Sequence, residues 1–348
     1  MRPPDKSMID SSITTMTSYP PIDFVVTWVD MNDPAWQEDY RTYSGNAKGG
    51  NATSVARFRD YGLLRYWFRS VETFCPWVHR IFFVTCGQHP DWLRRDHERL
   101  TLVDHRDYIP EAALPTFNSS LIEMFLHRIP GLSEHFVYFN DDVFPISPVD
   151  QTRFFRDGLP CDIAAFRLNL GVGLWAKCLK NNLRIINRRF DKREILSRDR
   201  EKWLDPSYGG KSLLTRLTLW YPDFLTLKVP HNAQPYLKQT LEEVWDYAGE
   251  ELETMIPHRF RHEGDFTQEL FRTWQICRSN FSPYNTYRDT KMFPLAVRLN
   301  AAERAIREQS YKLVCINDNA LIKNYDHAMA GLRDALDSIL PEKSSFEL

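Results

Sequence analysis

Apolar residues along this chain follow two periodicities. Residues 22–29 (IDFVVTWV), 80–85 (RIFFVT), 100–104 (LTLVD) and 135–140 (HFVYFN) are short, dense runs of β-branched and aromatic side chains. Such runs are the mark of strands buried on both faces. Phe58, Tyr61, Leu64, Phe68 and Val71 instead recur at helical spacing, with Arg57, Arg65 and Arg69 on other faces, and predict a helix over 57–74. Another helix is predicted to begin near Asn118, and KLVCI at 312–316 reads as a late strand. Helical stretches between most strands predict an α/β, Rossmann-like core, a mostly parallel sheet flanked by helices.

The polar segments divide the chain. Residues 1–20 have no apolar signal-like stretch and read as a flexible tail. Residues 21–335 are expected to form a single catalytic domain, with 336–348 as a C-terminal tail. Residues 150–225 are expected to form a helical, basic insertion, because 180–202 alone carry nine Lys/Arg against four acids. That segment reads first as a solvated helix face, with an anionic acceptor or an acidic membrane surface as its alternative contacts. Prolines bound a turn at 230–235 and open a basic loop at 257–262.

Composition narrows the function classes. At 348 residues, 43% hydrophobic and 14% aromatic, the chain can bury a sizeable core. Its net charge of −2 offers no general field for nucleic acid. The six cysteines lack CxxC or zinc-site spacing and read as reduced thiols of a cytoplasmic protein, in the cytosol or at the inner face of the cell membrane. No apolar run approaches the ~18 residues of a membrane span, so any membrane contact is peripheral. GxGxxG, GxxxxGK[ST] and GxSxG are all absent, which argues against a nicotinamide site, a P-loop and a hydrolase elbow.

Candidate chemistry gathers at the predicted strand ends. Asp141 and Asp142 follow the 135–140 run directly, where α/β enzymes hold ligands. Adjacent carboxylates repel, so they call for a divalent cation, Mg²⁺ or Mn²⁺, unless the Asn-Asp-Asp run merely caps a turn. Asn317 and Asp318 end the late strand and could supply opposing ligands. Glu123 lies among Ile122, Phe125 and Leu126, and a buried acid needs a partner or a role. His231, held between Pro230 and Asn232, suits proton transfer near neutral pH, whereas His127, His135, His258 and His262 read as structural. Arg259 and Arg261 flank Phe260 and read first as surface ion-pairing residues, with a fork of donors for phosphate, if that segment is extended, as the alternative.

These residues carry a resemblance. IDFVVTWVDMNDP at 22–34, the long block 57–144 with RFRDYGLLRYWFRSVETFCPWVHRIFFVTCGQHPDWL, DHRDYIP, LPTFNSSLIE and HRIPGLSEHFVYFNDDVF, the stretch from His231 to HRFR at 258–261, and CIND at 315–318 resemble the Stealth family of sugar-1-phosphate transferases. That family includes bacterial capsular polysaccharide phosphotransferases and, more distantly, the lysosomal-enzyme N-acetylglucosamine-1-phosphotransferase. The chain departs from the pattern at Met31 and at Leu63-Leu64, where relatives often carry Gly and an acid. The resemblance implies a glycosyltransferase A-like sheet. It also implies transfer of a hexose-1-phosphate or N-acetylhexosamine-1-phosphate from a UDP-sugar to a glycan hydroxyl, releasing UMP, in capsular or cell-surface polysaccharide synthesis. By position, Glu123, Asp142, His231 and Arg261 would be catalytic, and Asp142 and Asp318 would hold the metal, with Asp141 and Asn317 beside them. Trp28, Asp30, Arg57, Asp60 and Asn118 would line the nucleotide pocket. An ordinary metal-dependent glycosyltransferase releasing UDP is the rival from the same fold, and a non-catalytic carbohydrate-binding protein the rival of another class. Either His231 or Asp142 could be the base, and self-association is left open.

Overall fold

The computed structural model describes residues 20–45, 58, 62–317, 322 and 324–348. The expected N-terminal tail and three expected site residues, Arg57, Asp60 and Asp318, lie outside them.

Strands β1 (Ile22–Thr27), β2 (Ile81–Thr85), β3 (Leu100–Asp104) and β4 (His135–Phe139) form a parallel sheet in the order β3-β2-β1-β4. From β1 the chain winds outward through β2 and β3, then returns to place β4 on β1's other side. The crevice between the carboxyl ends of β1 and β4 is therefore the switch point where such sheets hold ligands. β-Branched and aromatic residues fill these strands because both faces are covered. Phe24, Val26, Phe83, Val137 and Phe139 point to one core, and Val25, Phe82, Val84, Phe136 and Tyr138 to the other. That alternation is the two-residue period of the strand read out by burial.

Helices pack on both faces. α1 (Pro34–Ser44) starts where the Asp33 carboxylate accepts the Trp36 amide hydrogen and Pro34 takes the first turn, and α2 (Leu64–Phe74) follows. α3 (Ser119–Met124) is capped by Asn118, whose side chain accepts from the Ser120 amide. The β2–β3 connection over 86–99 has no helix, unlike the other crossovers of the parallel sheet.

β5 (Val143–Pro145) leaves the sheet just after β4, and β6 (Phe155–Arg156) and β7 (Leu159–Asp162) form a hairpin. Helices α4 (Leu174–Arg189), α5 (Lys192–Arg198), α6 (Arg200–Trp203) and α7 (Leu213–Leu217) then build the basic insertion, which begins later than the expected residue 150 because 151–162 are largely strand and turn. β8 (Gln234–Leu237) returns antiparallel to β4 as the fifth strand, and α8 (Lys238–Glu253) and α9 (Glu269–Cys277) cover it. β9 (Ser282–Pro283) pairs with β7. β10 (Thr290–Pro294), α10 (Leu295–Arg307), β11 (Leu313–Asn317) and α11 (Tyr325–Asp337) complete the chain, with β11 lying between β10 and β5.

The expected C-terminal tail is part of the core. Phe346 is fully buried against Phe68. Glu347, itself buried, accepts from Arg69 Nε at 2.7 Å and Nη2 at 2.9 Å. A single aromatic and a single acid in KSSFEL carry no periodicity, so this segment has no strand or helix signal of its own.

Candidate active site

The turn at Asn140–Val143 sets the first carboxylates. The Val143 amide donates to the Asn140 carbonyl at 3.1 Å, and the Ile316 amide donates to the Asp142 carbonyl at 2.7 Å. That second bond extends the β5–β11 pairing and lays the end of β11, Asn317, beside Asp141 and Asp142. The ends of β4 and β11 are thus neighbours; Asp318, next in the sequence after Asn317, lies outside the described residues. Asp142 Oδ2 accepts from the Cys315 thiol at 3.3 Å and faces His231 Nε2 at 3.6 Å. Its Oδ1 is buried and has no hydrogen-bond partner among the described residues.

His231 precedes β8 with φ 49°, a left-handed backbone that costs a non-glycine residue energy. Pro230 before it and the β8–β4 pairing after it hold the ring toward Asp142. Burial opposes a charge on this imidazole. Asp142, with Glu269 and Glu123 beyond it, outweighs that burial and raises the pKa above its ordinary value.

Glu123 is buried on α3. Burial lifts its carboxyl to about 7, against the pull of the Arg261 guanidinium and a hydrogen bond from Tyr138 Oη to Oε1 at 3.2 Å. Tyr138, on β4, is also bonded to Thr27 of β1 at 3.1 Å, so both switch-point strands hold this acid in place.

Arg261 reaches the site because loop 258–265 is pinned on two sides. The Phe117 amide donates to the Arg259 carbonyl at 2.7 Å and the Phe117 and Phe260 rings stack at 5.0 Å. Asn181 of α4 donates to the Glu263 and Asp265 carbonyls, each at 2.9 Å. Arg261 then donates to Ser119 Oγ at the start of α3. The two-arginine fork raised as an alternative does not form: Arg259 Nη1 donates to the Pro115 carbonyl at 2.7 Å and its guanidinium covers Tyr43.

The other expected residues fall in different places. Asp30 follows β1 by three residues, with its backbone bridged twice by the Gln88 side chain and its carboxylate accepting the Asn32 amide. Trp28 is buried against Phe83 in the core. Asn118, expected at the nucleotide pocket, is fully buried, and its side chain is committed to Ser120, the His258 carbonyl and Asp265. It holds the 258–265 loop and exposes no surface to a ligand.

Among the described residues, two side-chain groups have metal-ligand geometry. Asp142, His231 and Cys315 present donor atoms within 4.8 Å of one another, as do His258, His262 and Asp265. In the second group the Asp265 carboxylate already accepts from Asn118, from the His262 amide and from His258, which leaves the first group, with its free Asp142 oxygen, the better cation site. Carboxylate and carboxamide oxygens from Asp142 and Asn317 suit a hard cation.

Sequence reasoning missed the layer beneath. Arg272 of α9, fully buried, donates to both oxygens of Asp162 at 2.7 and 2.8 Å and to Glu269 at 3.1 Å. Glu269, whose pKa burial raises, acts electrostatically on both His231 and Glu123. These residues sit on a helix and a strand end with no motif, so nothing in the sequence marks them.

The family models of Stealth protein conserved region 1 and conserved region 2 match residues 20–48 and 57–161. A capsular polysaccharide phosphotransferase, WcwK of Streptococcus pneumoniae, is 36% identical, covering 94% of this chain and 98% of that protein. An exopolysaccharide phosphotransferase, cps2G of Lactiplantibacillus plantarum, is 37% identical over 94% of this chain and 96% of its own length. The receptor polysaccharide phosphotransferase WefC of Streptococcus oralis is also 37% identical, over 94% and 99%. Among solved structures, the galactosyltransferase LgtC in complex with donor and acceptor sugar analogues aligns over 90% of this chain and 95% of that one. Its TM-score of 0.37 and 9% identity make it too remote a likeness to bear on function.

Proposed function

Because the chain belongs to the Stealth family of polysaccharide phosphotransferases, we propose that it transfers a hexose-1-phosphate or N-acetylhexosamine-1-phosphate from a UDP-sugar to a glycan hydroxyl. The products are a phosphodiester in a capsular or cell-surface polysaccharide and UMP. The convergence of Glu123, Asp142, His231 and Arg261 from four distant segments at the β1–β4 switch point carries this reading.

Phosphoryl transfer needs positioning and charge neutralisation more than covalent help. Asp142, with Asn317 and Asp318, would hold Mg²⁺ or Mn²⁺, and the bound cation supplies neutralising charge to the donor's diphosphate. His231 takes the proton from the acceptor hydroxyl as its oxygen attacks the sugar-bearing phosphorus, with UMP leaving in line. Arg261 offsets charge on the equatorial oxygens. Glu123, titrating near neutrality behind Arg261, orients that guanidinium and balances its charge. Asp30, just beyond β1, is assigned to the nucleotide side of the crevice by family position, as are Arg57 and Asp60, while Trp28 supports that edge from within the core. The six unpaired cysteines support a cytoplasmic setting.

Incubation of the protein with Mg²⁺, a panel of UDP-sugars and a glycan acceptor tests this. Release of UMP with formation of a phosphodiester is expected. Release of UDP would instead mean attack at the anomeric carbon and would overturn the proposal in favour of an ordinary glycosyltransferase.

A further inference from the structure

We propose that the helical insertion seats this protein on an anionic bilayer surface, with a basic cluster taking lipid phosphate groups and two apolar lobes entering the headgroup region. The inference does not rest on the phosphotransfer reading, because it is read out by vesicle binding without turnover, although Lys211 lies over Tyr287, which borders the Asp162–Arg272–Glu269 layer.

A cross-strand contact builds the cluster. Phe166 bridges Leu227, the Arg167 amide donates to the Thr226 carbonyl, and the Lys228 amide donates to the Ala165 carbonyl, each at 2.8 Å. Arg167 and Lys228 thereby come together. Thr215 of α7 accepts the Phe166 amide hydrogen at 2.9 Å, which seats α7 on the same contact and brings Lys211 alongside. Lys211 and Arg167 both act electrostatically on Lys228, and none of the three has a carboxylate partner among the described residues. Residues 167–228 carry fourteen Lys/Arg against six Asp/Glu, in a chain whose net charge is −2.

The lobes leave the cluster in both directions. From Arg167 the chain runs into Leu168, Leu170 and Val172, and the last two are 82% and 85% exposed. This segment is folded against the start of α4 by the Asn169 side chain, which donates to the Ala176 carbonyl at 2.9 Å. From Lys211 the chain enters α7, whose Leu213 and Leu217 lie four apart on one outward face, followed by Trp220 at 75% exposure. Leucine, valine and tryptophan standing in water beside lysine and arginine is the composition of an interfacial membrane contact. A second copy of the chain would set like charge against like charge on this face, and a soluble polyanion would leave the aliphatic side chains in water.

Sedimentation of the full chain with vesicles tests the proposal, comparing phosphatidylcholine alone with a phosphatidylcholine–phosphatidylglycerol mixture. Binding is expected only to the anionic vesicles, weakening as salt is raised. Leu170→Glu/Val172→Glu and Lys211→Glu/Lys228→Glu should each reduce the bound fraction at least about tenfold, while Val297→Glu, exposed on α10, should not. Unchanged far-ultraviolet circular dichroism and thermal unfolding would establish that the variants are folded. Equal binding to neutral vesicles, no vesicle binding, or binding indifferent to both double variants would overturn the proposal. So would concentration-dependent self-association abolished by Leu170→Glu/Val172→Glu, which would assign the face to a second copy.

Discussion

Replacing Glu123 by glutamine is expected to make the protein more stable and less active, with the stability gain depending on pH. Burial raises this carboxyl from 4.5 to about 7. The unfolded chain loses the proton near pH 4.5 while the folded chain keeps it to about 7, so stability falls as pH rises through that window and levels off above it. At about 1.36 kcal/mol per tenfold, the ionised carboxylate costs the folded state about 3 kcal/mol at pH 8 and less than about 1 kcal/mol at pH 5. Glutamine keeps an acceptor for Tyr138 Oη and stays neutral at every pH. Its amide hydrogens face the Arg261 side and return up to about 1 kcal/mol of that gain. Urea unfolding should therefore show Glu123→Gln about 2–3 kcal/mol more stable than the parent at pH 8 and nearly equal to it at pH 5, while UMP release drops at least ~10²-fold. An equal difference at both pH values, or a variant less stable at pH 8, would refute the claim that Glu123 is ionised at a cost.

Asp142→Asn, which keeps the side-chain volume and removes the charge, should lower UMP release at least ~10²-fold and raise the Mg²⁺ concentration for half-maximal rate; an unchanged Mg²⁺ titration would remove Asp142 from the cation site. Because the pKa of His231 lies above 6.5, kcat/KM should fall as pH is lowered through a value above 6.5. His231→Gln should lose that acid limb along with at least ~10²-fold in rate, and a limb persisting in the variant would assign it to another group. Phe346→Ala should cost about 3–5 kcal/mol in chemical unfolding, because the ring is fully buried against Phe68, and a loss under about 1 kcal/mol would support the expected tail over 336–348. Arg272→Ala leaves Asp162 and Glu269 buried without their cation and should cost about 3–5 kcal/mol, measured the same way; a near-neutral result would mean that water reaches this layer.

The parallel sheet was legible because its strands carry their own signal. Residues 22–27, 81–85, 100–104 and 135–139 are so densely β-branched and aromatic that neighbouring contacts only confirm what each run already implies. The polar residues at 141–142 and 317 were legible for the same reason, since they close such runs. Residues whose position is set by one distant contact were not. Phe346 and Glu347 are ordered by Phe68 and Arg69, almost 280 residues earlier, and nothing local in KSSFEL predicts that. Arg259 and Arg261 looked equivalent two positions apart, but the Phe117–Phe260 stack and the Pro115 carbonyl direct them to different partners. Asn118 read as a pocket residue and is a scaffold residue, because the sequence cannot show that Asp265 and His258 lie beneath it.

Three kinds of unfavourable term meet where the family resemblance placed the chemistry, although others occur elsewhere in the chain. His231 holds a left-handed backbone, Glu123 carries a carboxyl that burial disfavours ionising, and Asp142 Oδ1 and the neighbouring Asn232 Nδ2 are buried without hydrogen-bond partners among the described residues. Each would be eased by an ordinary substitution, and each sits within one electrostatic neighbourhood reaching to Glu269. Rigid support surrounds them: β8 is paired along β4, Tyr138 is bonded to both Thr27 and Glu123, and Arg272 locks Asp162 to α9. A fold that needed only stability would not gather a strained histidine, an unpaired carboxylate oxygen and a reluctant acid at the mouth of its switch point. Sites that bind charge do, because groups poised against water and against one another respond most strongly when a charged ligand arrives.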